Sequence, residues 1–154
     1  MRPISLKIKG INSFCDEQTI NFEKLTKDGV FGIVGDTGSG KSTVLDAMTI
    51  ALYGNLSRDT NEFINKECDT AFVMLDFCVS EGENEIFYRA ERAFKRTGSK
   101  ECTAVTARLS KGKENPQIIA DKTKEMNKAV EKIIGLSFGD FTRTVVLPQG
   151  KFSE

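Results

Sequence analysis

Apolar and polar residues alternate through ISLKIKGI (4–11), the period of a half-buried strand. QTINF (18–22) repeats the pattern, and SFCDE between them predicts a turn. VFGIVG (30–35) is a short apolar run ending at glycine, which predicts a buried strand. STVLDAMTIALYG (42–54) is apolar on nearly all sides and long enough for a buried helix, with Gly54 as its stop. Residues 55–70 are mixed and polar and read as a loop.

AFVMLDFCV (71–79), EIFYRAERAF (85–94) and TAVTARL (103–109) form a meander of strands, separated by turns at SEGENE and KRTGSK. KTKEMNKAVEKII (122–134) places Met126, Val130, Ile133 and Ile134 on one face of a helix that Gly135 ends. RTVVLPQG (143–150) predicts a last strand broken by Pro148. Strands, a helix, an antiparallel meander and a second helix imply an α/β or α+β fold, with a sheet wrapping the glycine loop between 35 and 42.

Composition narrows the function classes. The 154 residues make one ordinary domain, with 39% hydrophobic and 29% charged residues. Lys plus Arg and Asp plus Glu are 22 each, so no global charge points to nucleic acid or membrane. The absence of histidine removes Ser-His and Cys-His nucleophiles. Cys15, Cys68, Cys78 and Cys102 form no CxxC pair and read as reduced, mostly buried thiols. No apolar run approaches the ~20 residues of a membrane span, and none resembles a signal peptide, which leads us to expect a cytoplasmic protein.

The chemistry lies in GDTGSGKST, residues 35–43. Gly35, Gly40, Lys41 and Ser42 fit the spacing G-x-x-x-x-G-K-[ST]. Glycines let the chain bend so that backbone N–H groups face phosphate oxygens, and the following helix adds partial positive charge. Lys41 reaches the β- and γ-phosphates, and Ser42 offers a hydroxyl to Mg²⁺. The competing reading is a strand-to-helix turn with an accidental lysine. A chance match in a chain of this length is about half a percent, and the flanking strand and helix patterns lower it further. Hydrolysis needs a second acidic residue on a strand. Asp76 in FVMLDFCV is the nearest imitation and reads better as the solvent face of an edge strand.

Three segments carry a family resemblance. ISLKIKGINSFCDEQTINFEKL, GDTGSGKSTVLDAMTIALYG and FTRTVVLPQGKFSE together resemble the N-terminal ATPase half of SbcC, the coiled-coil DNA-repair ATPase that works with the SbcD nuclease. The resemblance implies a P-loop NTPase fold, the N-terminal lobe of an ABC-type ATPase head, spanning 1–154. It implies ATP and Mg²⁺ as cofactors. Asp36, Thr37, Gly38, Ser39, Gly40, Lys41, Ser42 and Thr43 would hold the phosphates with Gly35, and Ser42 and Gln149 would reach the metal. Gln149 would also position the attacking water. Asn12 and Ser13 would lie near the nucleotide, as would Ile64, Asn65 and Lys66.

The family's signature motif, acidic catalytic strand, late histidine and zinc-hook coiled coil have no counterpart in this sequence. The resemblance therefore implies a partial head that binds ATP without efficient turnover. Its own C-terminal half, the SbcD nuclease, double-stranded DNA ends and a second full-length head would be its partners. The missing strands should leave open sheet edges and exposed apolar surface. Two other readings remain at this point: another recombination ATPase of the SMC, RecF or RecN type, and a stand-alone small P-loop NTPase or kinase. A purely scaffolding, nucleotide-gated module is a further one. Lys95, Arg96 and Lys100 around one turn, and Lys111 and Lys113 around another, are either DNA contacts or solubilising charge.

Overall fold

The computed structural model describes residues 1–25, 32–56, 62–98 and 101–144. Its centre is a six-stranded antiparallel sheet. The strands are β1 (Arg2–Lys9), β2 (Gln18–Asn21), β3 (Thr70–Glu81), β4 (Asn84–Arg96), β5 (Cys102–Lys111) and β6 (Gln117–Ala120), in the order β2-β1-β3-β4-β5-β6. The helices are α1 (Phe22–Leu25), α2 (Lys41–Tyr53), α3 (Thr123–Ile134) and α4 (Phe138–Thr144).

Register decides which face is covered. Leu75 pairs with Ala90, Phe77 with Tyr88 and Val73 with Arg92, and all six are buried. Leu6 and Ile8 of β1 pair with Leu75 and Val73. These residues form one face, on which α2 packs against β3 and β4, while α3 covers β5 and β6. α2 is buried on nearly every side, as its sequence implies. Both outer strands, β2 and β6, are only four residues long, which limits the backbone offered for edge pairing.

The meander, the first two strands and the two long helices lie where the hydrophobic pattern puts them. β6 and the short α1 are additions to that pattern, and four expectations differ. Residues 32–36 form no strand, and Val34 is 93% exposed. Among the described residues no strand of the six-stranded sheet pairs with that run. Residues 30 and 31 lie outside the described residues. Arg143 and Thr144 end α4 and do not start a strand. Ser137 begins that helix: its Oγ accepts from Asp140 N at 3.2 Å and donates to the Asp140 carboxylate at 2.6 Å, a capping arrangement that the S-x-x-D spacing encodes. The rest of the 143–150 run lies outside the described residues.

Asp76 is the third difference. β3 sits inside the sheet, and Asp76 is 6% exposed. Its two oxygens accept from Arg89 Nε at 2.7 Å and Nη2 at 2.9 Å, and Ser5 Oγ donates at 3.1 Å. The pair raises the Arg89 pKa. The carboxylate is a structural ion-pair member and lines neither cavity described below. The cysteines are the fourth, since only Cys78 of the four is buried.

Candidate functional site

The glycine loop runs straight into α2. Gly38 and Gly40 hold φ of 87° and 93°, in the left-handed region that glycine enters freely. Space excludes a side chain at Gly40 as well, because a Cβ there would lie 2.7 Å from the ring of Phe14. Gly40 is the N-cap of α2, yet no side chain caps the helix and its first turn carries no acidic residue. A buried helix thus begins with N–H groups that no side chain among the described residues caps, the arrangement of an anion site. Lys41 folds back over the loop, donating from Nζ to the carbonyls of Gly35 and Asp36, both at 2.6 Å. Ser39 N closes the loop on Asp36 O at 3.2 Å.

These groups open on a cavity of about 390 Å³, walled by Thr37, Gly38, Gly40, Lys41, Ser42, Thr43, Asp46, Asn12 and Ser13. A second cavity of about 570 Å³ shares Asn12 and Ser13, with Cys15 beside them, and is walled on its far side by Glu62, Ile64, Asn65, Lys66 and Glu67. The two cavities adjoin along Asn12 and Ser13 as one trough, narrower at the loop and wider beyond it. Each volume is within the range of small-molecule sites.

The shared wall is built by a tight turn after β1. Gly10 crosses Thr70 so closely that a Cβ would collide with its carbonyl oxygen. Asn12 follows with φ of 45°, a left-handed conformation that asparagine tolerates. Its N donates to Phe63 O at 2.8 Å, and its carbonyl accepts from Asn65 Nδ2 at 2.6 Å. Its own amide donates to Asp46 on α2 at 3.3 Å. The 62–68 segment is held by Arg96, whose Nη2 donates to the carbonyls of Ile64 (3.2 Å), Asn65 (2.9 Å) and Cys68 (3.2 Å). Arg96 therefore serves the turn, not a basic patch. Phe63 packs edge-on against Phe94 behind it, centroids 4.8 Å apart.

The structure brings Asn12, Ser13, Thr37, Gly38, Gly40, Lys41, Ser42, Thr43, Ile64, Asn65 and Lys66 around one trough. Gly35, Asp36 and Ser39 shape the loop without lining it. Gln149 and Lys100 lie outside the described residues. Sequence reasoning missed Asp46, and it read Arg96 only as a DNA contact or solubilising charge. Asp46 stands four residues after Ser42 on one helix face, a spacing that could have found it. The anchoring role of Arg96 could not be read, since its partners are some 30 residues away in the chain. Backbone donors, an ammonium and a hydroxyl at one end fit an anionic phosphate chain with a hard, oxygen-seeking cation. Among the described residues no cluster of three metal-ligating side chains exists, so a cation here would lean on Ser42 and on the ligand's own oxygens.

The sequence matches the family model described as AAA domain over residues 5–154. It is 49% identical over 157 residues to the SbcC component of nuclease SbcCD from Bacillus subtilis, covering 100% of this chain and 14% of that protein. The corresponding protein of Clostridium acetobutylicum is 48% identical over 157 residues, covering 100% of this chain and 13% of that protein. "Probable DNA double-strand break repair Rad50 ATPase" of Aquifex aeolicus is 33% identical over 157 residues, covering 99% of this chain and 15% of that protein. Among solved structures the "SMC head domain from Thermotoga maritima" is similar at TM-score 0.45 and 26% identity, covering 84% of this chain and 42% of that one. The chain thus spans about a seventh of the length of the curated relatives it matches. No helix among the described residues is long and apolar enough to cross a membrane. The resemblance to SbcC is borne out along the whole chain, and the chain belongs to the AAA domain family.

Proposed function

We propose that residues 1–154 are the ATP-binding lobe of a DNA-end-processing ATPase, and that the trough along Asn12, Ser13 and the glycine loop takes MgATP. The observation that carries this reading is the uncapped N-terminus of α2 opening on a cavity that also holds Lys41 and Ser42. The loop N–H groups and Lys41 would bind the phosphates. Lys41 would trade the carbonyls of Gly35 and Asp36 for phosphate oxygens, which are stronger, charged acceptors. Ser42 would hold Mg²⁺, and Gln149 would serve metal and water. Asn12, Ser13 and residues 64–66 would border the nucleoside.

The metal ion supplies charge neutralisation to the phosphates; the lobe's own residues bind and orient. Turnover needs an acidic group on a strand. Asp76 is committed to Arg89, so the lobe alone binds without efficient hydrolysis. In the whole protein the C-terminal half would complete the site, and ATP would govern a nuclease partner at double-stranded DNA ends in the cytoplasm. A second head would close on the first.

A fluorescent ATP analogue titrated with Mg²⁺ into the chain tests the reading, with Lys41→Ala as the control. We expect saturable binding that the substitution weakens roughly 10- to 100-fold, the loss of a charged hydrogen bond. Equal binding by the two would overturn the assignment of the trough. Lysine-dependent turnover by the chain alone would overturn the partial-head reading and favour a stand-alone NTPase.

A further inference from the structure

Beside the wall shared by the two cavities stand two thiols that are 53 residues apart in sequence. Cys15 Sγ and Cys68 Sγ are 2.7 Å apart. Their backbones are tied to common anchors. Gly10 N donates to Cys15 O at 3.2 Å, Asn65 N to Gly10 O at 2.9 Å, and Cys68 N to Asn65 O at 2.9 Å. Arg96 fixes the Cys68 carbonyl as well. Both residues are partly exposed, and Cys15 lines the wider cavity, so a small oxidant has access. A disulfide bond measures about 2.05 Å, so the sulfurs need to close by well under 1 Å with their backbones already fixed.

We propose that Cys15 and Cys68 are an oxidisable dithiol that closes to a disulfide and staples the turn at 10–15 to the turn at 62–68. The oxidant is a hydroperoxide. One thiolate attacks a peroxide oxygen, the O–O bond breaks, and a sulfenic acid forms while the departing oxide takes up the thiol's proton and leaves as water from hydrogen peroxide or as an alcohol from an organic hydroperoxide. The second sulfur attacks the sulfenic sulfur, the S–O bond breaks, and its oxygen leaves as water with the remaining proton. Two electrons pass from the thiols to the peroxide. The contact with Cys68, then burial, pushes the Cys15 thiol up to about 11. Cys15 therefore rests protonated at neutral pH, and the bridge belongs to oxidising conditions and not to the reduced resting state.

The consequence is local. The bridge fixes the spacing between Asn12 and Ser13 on one side of the trough and Ile64–Lys66 on the other, whatever ligand fills it.

Treating the full chain with hydrogen peroxide and mapping its peptides without reductant tests this. We expect loss of two hydrogens, a Cys15–Cys68 linked peptide, and a melting temperature raised by roughly 5–10 °C, as for a bridge closing a loop of this length. Dithiothreitol should reverse both changes, and Cys68→Ser should show neither. The proposal falls if Cys15 is carried to sulfinic acid without a bridge. It falls equally if chains join to one another, or if Cys68→Ser gains the same melting shift.

Discussion

Tyr53 closes α2 with a ring set against Phe141 and Phe138, centroids 5.3 and 5.8 Å away, and its hydroxyl donates to Leu136 O at 3.0 Å. Burial, with the charges of Glu131 and Asp140 behind it, pushes the phenol up to about 12. A phenol whose pKa rises on folding adds stability that is whole below its unfolded value near 10 and is lost as pH climbs through about 12. Tyr53→Phe should cost about 1 kcal/mol at neutral pH through the lost hydrogen bond. It should also flatten the loss of stability between pH 10 and 12 relative to the parent, leaving the slopes of Tyr88 and the thiols. Urea unfolding across that range measures both. An unchanged alkaline slope would mean that Tyr53 does not feel its burial.

At this scale legibility follows sequence distance. The glycine loop could be read because the seven residues from Gly35 to Lys41 act together. Asp76 was misread because its partner is Arg89 on the next strand and its burial comes from the sheet order.

The element that matters most is α2, because its N-terminus forms the phosphate end of the trough. Its C-terminus is held by Arg92 of β4, which is fully buried. Arg92 Nε donates to Ala51 O at 3.0 Å, and Nη2 donates to Leu52 O at 2.8 Å and to Asn127 Oδ1 at 2.7 Å. A cation at a helix C-terminus opposes the partial negative charge there, and the Asn127 bond links α2 to α3. The cost is visible: burial pulls the guanidinium down to about 10, and Nη1 has no hydrogen-bond partner among the described residues. Arg92→Leu relieves that desolvation but strands two backbone carbonyls and an amide oxygen. We expect a net loss of about 2–4 kcal/mol in urea unfolding. A neutral result would mean that the buried charge cancels the bonds it makes. Elements with a full period, such as α2, α3 and the meander, were legible from the hydrophobic pattern. The run at 32–34 was not, because a strand needs a neighbour and the pattern is silent about neighbours. α4 was missed through its short length, although Ser137 and Asp140 encode its start.

At the scale of the whole molecule, Ile33 and Val34 stand out. They are 42% and 93% exposed, they lead directly into the glycine loop, and they lie outside the sheet. A near-continuous apolar run of this kind is normally a strand buried inside a sheet. In the proposed reading the C-terminal half supplies that cover, and an exposed apolar run such as this one is a candidate surface for association with another copy. Ile118 and Ile119 at the β6 edge, 59% and 43% exposed, are the competing surface. Val34→Asp separates the two. With its side chain almost wholly in solvent, the substitution should change stability by no more than about 0.5 kcal/mol. Sedimentation velocity over a range of concentrations should show the parent chain associating and Val34→Asp remaining monomeric. Association that persists in Val34→Asp and disappears in Ile118→Lys would move the sticky surface to the sheet edge. The covered-strand argument for a completing half would then lose its support, while the trough and its nucleotide reading would stand unchanged.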